Sequence, residues 1–196
     1  MALLRSIGKP EGEPLVEGPG VYLRYPTMSD HEEWAELREQ SRHFLTPWEP
    51  TWPLDDLTRS GFRRRLRRYA KEIREDSAYP FFVFRGLDDG LVGGCTLSNV
   101  RRGVTQSCSL GYWIGENFKR QGLMTEAVRA LILHVFYDLR LHRLEAACLP
   151  GNEASKHLLR NLGFIEEGYA RNFLRINGTW QDHLLFAIVK GDPIPD

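Results

Sequence analysis

The sequence predicts an α/β (α+β) fold, with a mixed central sheet of about six to seven strands and helices on both faces. Three observations predict it. Ser107 to Leu139 reads as an apolar strand, a glycine-containing turn and a long amphipathic helix; residues 81–99 read as two hairpinned strands; Asn177-Gly178 separates two further strand-like runs. Hairpinned strands followed by strand-helix-strand-helix-strand require a mixed sheet covered on both sides.

Met1 to Gly20 holds three of the eleven prolines and no apolar periodicity, so it is expected to be a flexible arm (1–20) ahead of one domain (21–190) and a short tail (191–196). Val21 to Tyr25 is the first expected strand. Ser29-Asp30-His31-Glu32 is a capping-box pattern opening a helix through Trp34 and Leu37, and a Pro- and Trp-rich loop follows from Thr46 to Pro53. A second helix is expected from Asp55 to Glu75, with Phe62, Leu66, Tyr69 and Ile73 on one face. Strands at Phe81–Arg85, Leu91–Asn99 and Thr105–Ile114 come next, the first two joined by the turn Asp88-Asp89-Gly90. Met124, Ala127, Val128, Leu131, Ile132, Val135, Phe136 and Leu139 then recur at helical spacing and form one broad apolar face. Arg143 to Leu149 reads as a strand ended by Pro150-Gly151; Asn152 can cap a short helix carrying Leu158, Leu159 and Leu162, which Gly163 stops. Asn177-Gly178 between two strand-like runs is the strongest short-range hairpin signal there is.

Composition bounds the function classes. In 196 residues, 26 Lys plus Arg balance 26 Asp plus Glu, so global charge argues for neither nucleic acid nor a membrane surface. Cys95, Cys108 and Cys148 are far apart in apolar strand contexts, without metal-type spacing, and read as reduced packing residues. No metal is expected. No N-terminal stretch reaches signal-peptide or membrane-spanning length, which makes the cytoplasm the expected compartment.

The strand-turn-helix junction carries the first functional signal. A strand delivering Lys119-Arg120-Gln121-Gly122 into a helix start aims unpaired main-chain N–H groups, and the positive end of the helix dipole, at one spot suited to phosphate. Gly122 permits close approach, and Lys119 and Arg120 can add charge. The Lys-Ser or Lys-Thr pair of a nucleoside-triphosphate loop and the three spaced glycines of a dinucleotide fold are both missing. An ordinary strand-to-helix connection without ligand is the competing reading.

Together with the strand and Asn152-initiated helix, this junction resembles the core of the GNAT acetyltransferase superfamily, over nearly the whole chain. Pro47-Trp48-Glu49-Pro50, Gly111-Tyr112-Trp113, Gln121-Gly122-Leu123-Met124 and the run Glu167 to His183 resemble its RimJ/RimL type, the ribosomal-protein-alanine N-acetyltransferases. The resemblance implies a GNAT fold, acetyl-CoA as co-substrate, and cofactor contacts from Ile114, Lys119, Arg120, Gln121, Gly122, Leu123, Met124, Thr125, Asn152 and Ser155. It implies direct attack in a ternary complex, with Ser155 near the coenzyme sulfur. Lys119 and Met124 depart from the general superfamily pattern; Met124 agrees with the RimJ subgroup.

Acetyl transfer to an amine needs a neutral nucleophile, a site for the carbonyl oxyanion and a proton for the leaving thiolate. Ser155, Asn152 and Glu145 are the candidates for that chemistry. Each has a plainer reading: Ser155 as an exposed polar or capping residue, Asn152 as a helix cap, Glu145 as a solvated carboxylate. Glu116, Glu126 and Glu49 are weaker candidates for the base. Leu174 stands at the hairpin position where RimL relatives are expected to carry Glu. An α-amine is roughly a quarter neutral at cytosolic pH and a Lys amine about one part in a thousand, a difference of about 3.5 kcal/mol, so a site without a strong base suits an N-terminus. The expected partner is therefore the N-terminus of a ribosomal protein, on a monomer or homodimer. Trp48, Tyr112 and Trp113 are candidate walls for a small first residue, with Asp182 or His183 behind it; core packing competes for each aromatic. Arg63, Arg64, Arg65, Arg67 and Arg68 form a basic run that is either a solvated helix face or a weak ribosome or RNA contact. The rival functions are acetylation of a small amine, such as an antibiotic, polyamine or amino acid, and CoA or RNA binding without turnover.

Overall fold

β-branched and aromatic residues alternating between two helical layers build the protein around one sheet. In the computed structural model, which describes residues 13–195, eight strands take the order β1-β2-β3-β4-β5-β6-β8-β7. They are β1 (Val16–Glu17), β2 (Val21–Arg24), β3 (Tyr79–Arg85), β4 (Leu91–Arg101), β5 (Ser107–Ile114), β6 (Arg143–Cys148), β7 (Ile165–Ile176) and β8 (Thr179–Val189). Every neighbouring pair is antiparallel except β5 and β6. The helices are α1 (His31–Gln40), the single turn α2 (Arg42–Leu45), α3 (Arg59–Arg74), α4 (Leu123–Leu133) and α5 (Glu153–Asn161).

Two cores fill the two faces. Ala127, Val128, Leu131 and Ile132 of α4 pack with Leu159 of α5 against Val83, Leu97, Cys108 and Leu144 of the sheet. On the other face Trp34 and Leu37 of α1 and Phe62 of α3 enclose Phe82, Phe84 and Leu91. Burying a Leu or Phe in such a layer contributes about 1.5–3 kcal/mol, so these aromatic and branched positions dominate the fold's stability.

The structure revises four expectations. The sheet has eight strands because Val16–Glu17, inside the stretch read as an arm, pairs with β2. Two residues are too few to show alternation, so the strand left no sequence signal; the arm's first twelve residues lie outside the described residues. The first helix is entered through Thr27, whose N–H donates to Asp30 at 2.6 Å, while Arg24 holds the same carboxylate at 2.6 and 2.8 Å. The second long helix begins at Arg59 behind the cap Thr58, whose Oγ accepts from Gly61 N at 3.1 Å. Asp55 and Asp56, expected inside it, lie before the cap and pair with Arg64 and Arg65. The apolar helix after Gly122 leaves α geometry at His134 and finishes in a wide π turn to Asp138, with Val135 and Phe136 still buried. In the tail beyond residue 190, Asp192 accepts from Val189 N at 3.0 Å and Ile194 packs on the main core.

Candidate active site

The β5–β6 junction makes the site. Their parallel pairing runs from Ser107↔Arg143 to Leu110↔Ala146 and stops there. Beyond it Gly111–Ile114 pair with β4 and Ala147–Cys148 with β8, so the two strands part and leave a wedge open toward α4 and α5. Gly115 N donates to Val92 O at 2.8 Å and Glu116 N to the buried Ser41 hydroxyl at 2.9 Å, which fixes the connection leaving the wedge.

That connection ends in an uncapped helix start with the geometry suited to an anion. Arg120 and Gly122 both have positive φ, 60° and 80°, and no side chain caps α4. A Cβ built on Gly122 meets nothing within 4 Å, so the space before the amides of Leu123, Met124 and Thr125 is open. Those three N–H groups precede the first intrahelical bond, from Glu126 N to Gly122 O at 3.0 Å. Leu123 and Met124 are buried in the core, so they can serve a ligand through their main chains alone. Lys119 Nζ pairs with Glu116 at 2.9 Å and Gln121 donates to Asn117 O at 2.9 Å, leaving Arg120 as the cradle's unpaired cation among the described residues. Ile114 ends β5 against the core.

Across the wedge, Asn152 caps α5: its Oδ1 accepts from Ser155 N at 3.1 Å. The cap turns the Ser155 hydroxyl toward β5, where it lies 2.6 Å from the Tyr112 hydroxyl. Burial pushes the Tyr112 phenol well above its ordinary value, so it stays protonated across the neutral range. Burial also raises the Cys148 thiol, with the Ser155 hydroxyl working in the opposite direction. The result is a protonated hydroxyl pair at the open end of the wedge, able to donate to a developing thiolate. Tyr112, read as a wall for the acceptor, therefore belongs to the hydroxyl pair; Cys95, its register partner, places it on the α4–α5 face.

Trp113 points the other way, as neighbours on a strand must. It stacks on the Arg38 guanidinium at 4.8 Å, which Trp52 covers from another side at 4.0 Å. Arg38 grips Glu49 with both terminal nitrogens at 2.7 Å, and Trp52 Nε1 donates to the same carboxylate at 2.7 Å. The Glu49 carbonyl accepts from Asn177 N at 2.9 Å, so the tip of the β7–β8 hairpin rests on the loop that carries Trp48. This arch spans the side of the wedge opposite α4. Arg38, its hidden support, and Ser41, which holds the connection after β5, carry no sequence signal; the helix pattern around them gives only a polar face.

Two expected residues lie apart from the hydroxyl pair. Glu145 is on the opposite face from Tyr112, at the closed end of the wedge, where Arg143 Nε donates to it at 2.8 Å and Arg101 stands at 3.7 Å. It is an ion-paired carboxylate, and so a poor choice of base. Asp182 accepts from Tyr169 and, at 2.8 Å, from Asn172 N, which pins the bulge in β7; its carboxylate is occupied by the hairpin. In the basic run, Arg64, Arg65 and Arg68 pair with Asp55, Asp56 and Glu72, leaving Arg63 and Arg67 without ion pairs among the described residues. Among the described residues no helix is long and apolar enough to cross a membrane, and no three His, Cys, Asp or Glu side chains cluster to hold a metal.

Parallel strands that part beside an uncapped helix start make a site suited to a phosphate-bearing ligand. A family model described as an acetyltransferase (GNAT) domain matches residues 21–165, and the chain belongs to that family of N-acetyltransferases. It is 35% identical over 178 residues to the probable N-acetyltransferase YjcK of Bacillus subtilis, covering 91% of this chain and 98% of the relative. It is 38% identical over 170 residues to the [ribosomal protein uS5]-alanine N-acetyltransferase of Escherichia coli, covering 86% and 88%. Mycobacterium smegmatis RimJ, solved in complex with CoA-disulfide, superposes with a TM-score of 0.83 at 34% identity, over 90% of this chain and 86% of that one.

Acetyl-CoA is the acetyl donor of such enzymes, and the open, uncapped cradle at Gly122 suits its diphosphate. Replacing Gly122 by Ala tests the cradle, because it adds a methyl in that space and places an L side chain at φ 80°. The strain is worth about 1–2 kcal/mol. We expect a thermal midpoint lowered by a few degrees and, by calorimetry, CoA affinity weakened roughly tenfold, about 1.4 kcal/mol.

Proposed function

We propose that this enzyme acetylates the α-amino group of a ribosomal protein beginning with alanine or serine, in the cytoplasm. The observation that carries this reading is the arch from Glu49 to Asn177, which roofs the side of the wedge facing away from the cofactor helices. A roofed approach favours a thin extended chain end over a bulky folded surface. The 38% identity to an enzyme named for alanine on ribosomal protein uS5 supports the same substrate class.

In this reading the Gly122 cradle, with Arg120, holds the diphosphate of acetyl-CoA, and Asn152 offers its side-chain amide to the pantetheine arm. The coenzyme supplies the activated acetyl group. Tyr112 and Ser155 hold a proton at the position where the sulfur departs. Trp48, in the loop under the hairpin tip, lines the pocket for a small first side chain. The acceptor attacks directly, without a covalent enzyme intermediate.

A thiol-release assay tests the assignment. Peptides starting with Ala or Ser are expected to turn over, and the same peptides with a blocked N-terminus are expected to be inert even when they contain lysine. Turnover confined to polyamines, amino acids or antibiotics would replace this reading with the small-amine one. CoA binding without turnover of any amine would leave a binding module.

A further inference from the structure

The wedge as described has an acid but no base. His183 is the one imidazole placed to fill that role, and we propose that its Nε2 takes the proton from the acceptor's ammonium group. This rests on the reading above only in requiring an amine acceptor.

Four observations place it. The last rung between β6 and β8 is Cys148↔Leu184, so His183 stands one residue beyond the end of β6, on the strand flanking the one that borders the wedge. Leu184 and Phe186 face the α4–α5 core, so alternation turns His183 to the opposite, arched side. The ring is buried, 2% exposed, edge-on to Phe173 at 5.8 Å. Its Nδ1 lies 3.0 Å from the Gln181 carbonyl. A carbonyl only accepts, so Nδ1 carries the hydrogen and the neutral ring presents its lone pair at Nε2.

Nε2 is open. Among the described residues the side-chain polar atoms that are both sealed and unpartnered are His31 Nδ1 and Arg38 Nε. His183 Nε2 makes no bond within the protein and is not one of these, so it meets solvent. A buried imidazole with one nitrogen anchored and the other bare is the arrangement general-base chemistry needs. The charged groups facing this side from neighbouring elements are already engaged. Arg143, Glu145 and Glu167 are tied to one another, Glu49 is tied to Arg38, and the adjacent Asp182 is held by Tyr169 and Asn172. None competes for the acceptor's proton.

The protons balance. An ammonium acceptor must lose two before it becomes an amide. His183 Nε2 takes the first and passes it to solvent, and the freed nitrogen forms its bond to the thioester carbonyl carbon. As the C–S bond breaks, the thiolate takes a proton from the Tyr112–Ser155 hydroxyls, and the second proton shed by nitrogen replaces it.

His183→Asn separates this role from a structural one, since the Asn amide can keep the Nδ1 bond to Gln181 but has no atom at Nε2. With an α-amine acceptor we expect kcat/KM at pH 7 to fall about tenfold, the reciprocal of its neutral fraction, and further with a more basic amine. The deficit should shrink as pH rises past the amine's own pKa, where the acceptor is already neutral. CoA affinity by calorimetry should stay within twofold. Activity within threefold of wild type at pH 7, or a deficit unchanged from pH 6.5 to 9.5, overturns the proposal. Nitrogen-15 NMR of histidine-labelled wild-type protein keeps the test alive if the variant does not fold. There the His183 Nε2 resonance should report a lone-pair nitrogen at pH 8, and a protonated Nε2 would refute it. If small amines alone are turned over, the ribosomal assignment fails while His183 is still tested.

Discussion

Tyr112→Phe or Ser155→Ala is expected to lower kcat by about 10²- to 10³-fold, and the double variant to be little worse than the poorer single one. The two hydroxyls lie 2.6 Å apart and can deliver only one proton between them, so removing either disables the pair. Because burial raises the Tyr112 phenol, no titration of this pair should enter the activity profile below about pH 10, and the deficit should be flat across the neutral range. That contrasts with the sloping deficit expected of the His183 variant. CoA affinity should change little, since the cradle is at the other end of the donor. Steady-state kinetics on all four proteins give the answer; losses that multiply in the double variant would mean that Tyr112 and Ser155 act separately.

Arg38→Ala should be the most destabilising single change among the residues discussed. Arg38 and Glu49 side chains are 8% and 18% exposed, and removing the guanidinium strands a half-sealed carboxylate. Breaking a buried pair in this way costs about 3–5 kcal/mol. Arg38 Nε finds no acceptor, so all of the guanidinium's hydrogen bonding runs through Glu49, with Trp52 and Trp113 packed on its faces. For a chain of this size the loss corresponds to a fall in Tm of roughly 10 °C. Arg38→Lys should recover only part of it, since an ammonium cannot make the two-pronged contact or stack as a plane. Thermal unfolding of the three proteins checks this, and an Ala variant melting within 2 °C of wild type would show that the arch stands without the ion pair.

Much of this molecule can be read locally. The apolar spacing after Gly122, the Asn152 cap and the Asn177-Gly178 turn each encode their structure within a few residues, and all three appear where expected. The uncapped helix start at Gly122 is legible for the same reason, being a strand, a turn and a helix start in immediate succession. Features that failed to show depend on register between distant segments. Tyr112 and Ser155 are 43 residues apart and meet only because β5 and β6 part after Leu110 and Ala146. Arg38 looks like any polar helix residue until Glu49, Trp52 and Trp113 surround it. The ion pairs of Glu145 with Arg143 and Arg101 depend on the sheet's register as much as on its own strand.

Because β5 and β6 share only the rungs from Ser107↔Arg143 to Leu110↔Ala146, the sheet is two panels joined along a short seam. A coenzyme lodged in the gap touches both panels and acts as a rivet between them. Since anything that binds only the native form adds to its stability, a ligand seated in that gap should raise the unfolding midpoint of both panels together.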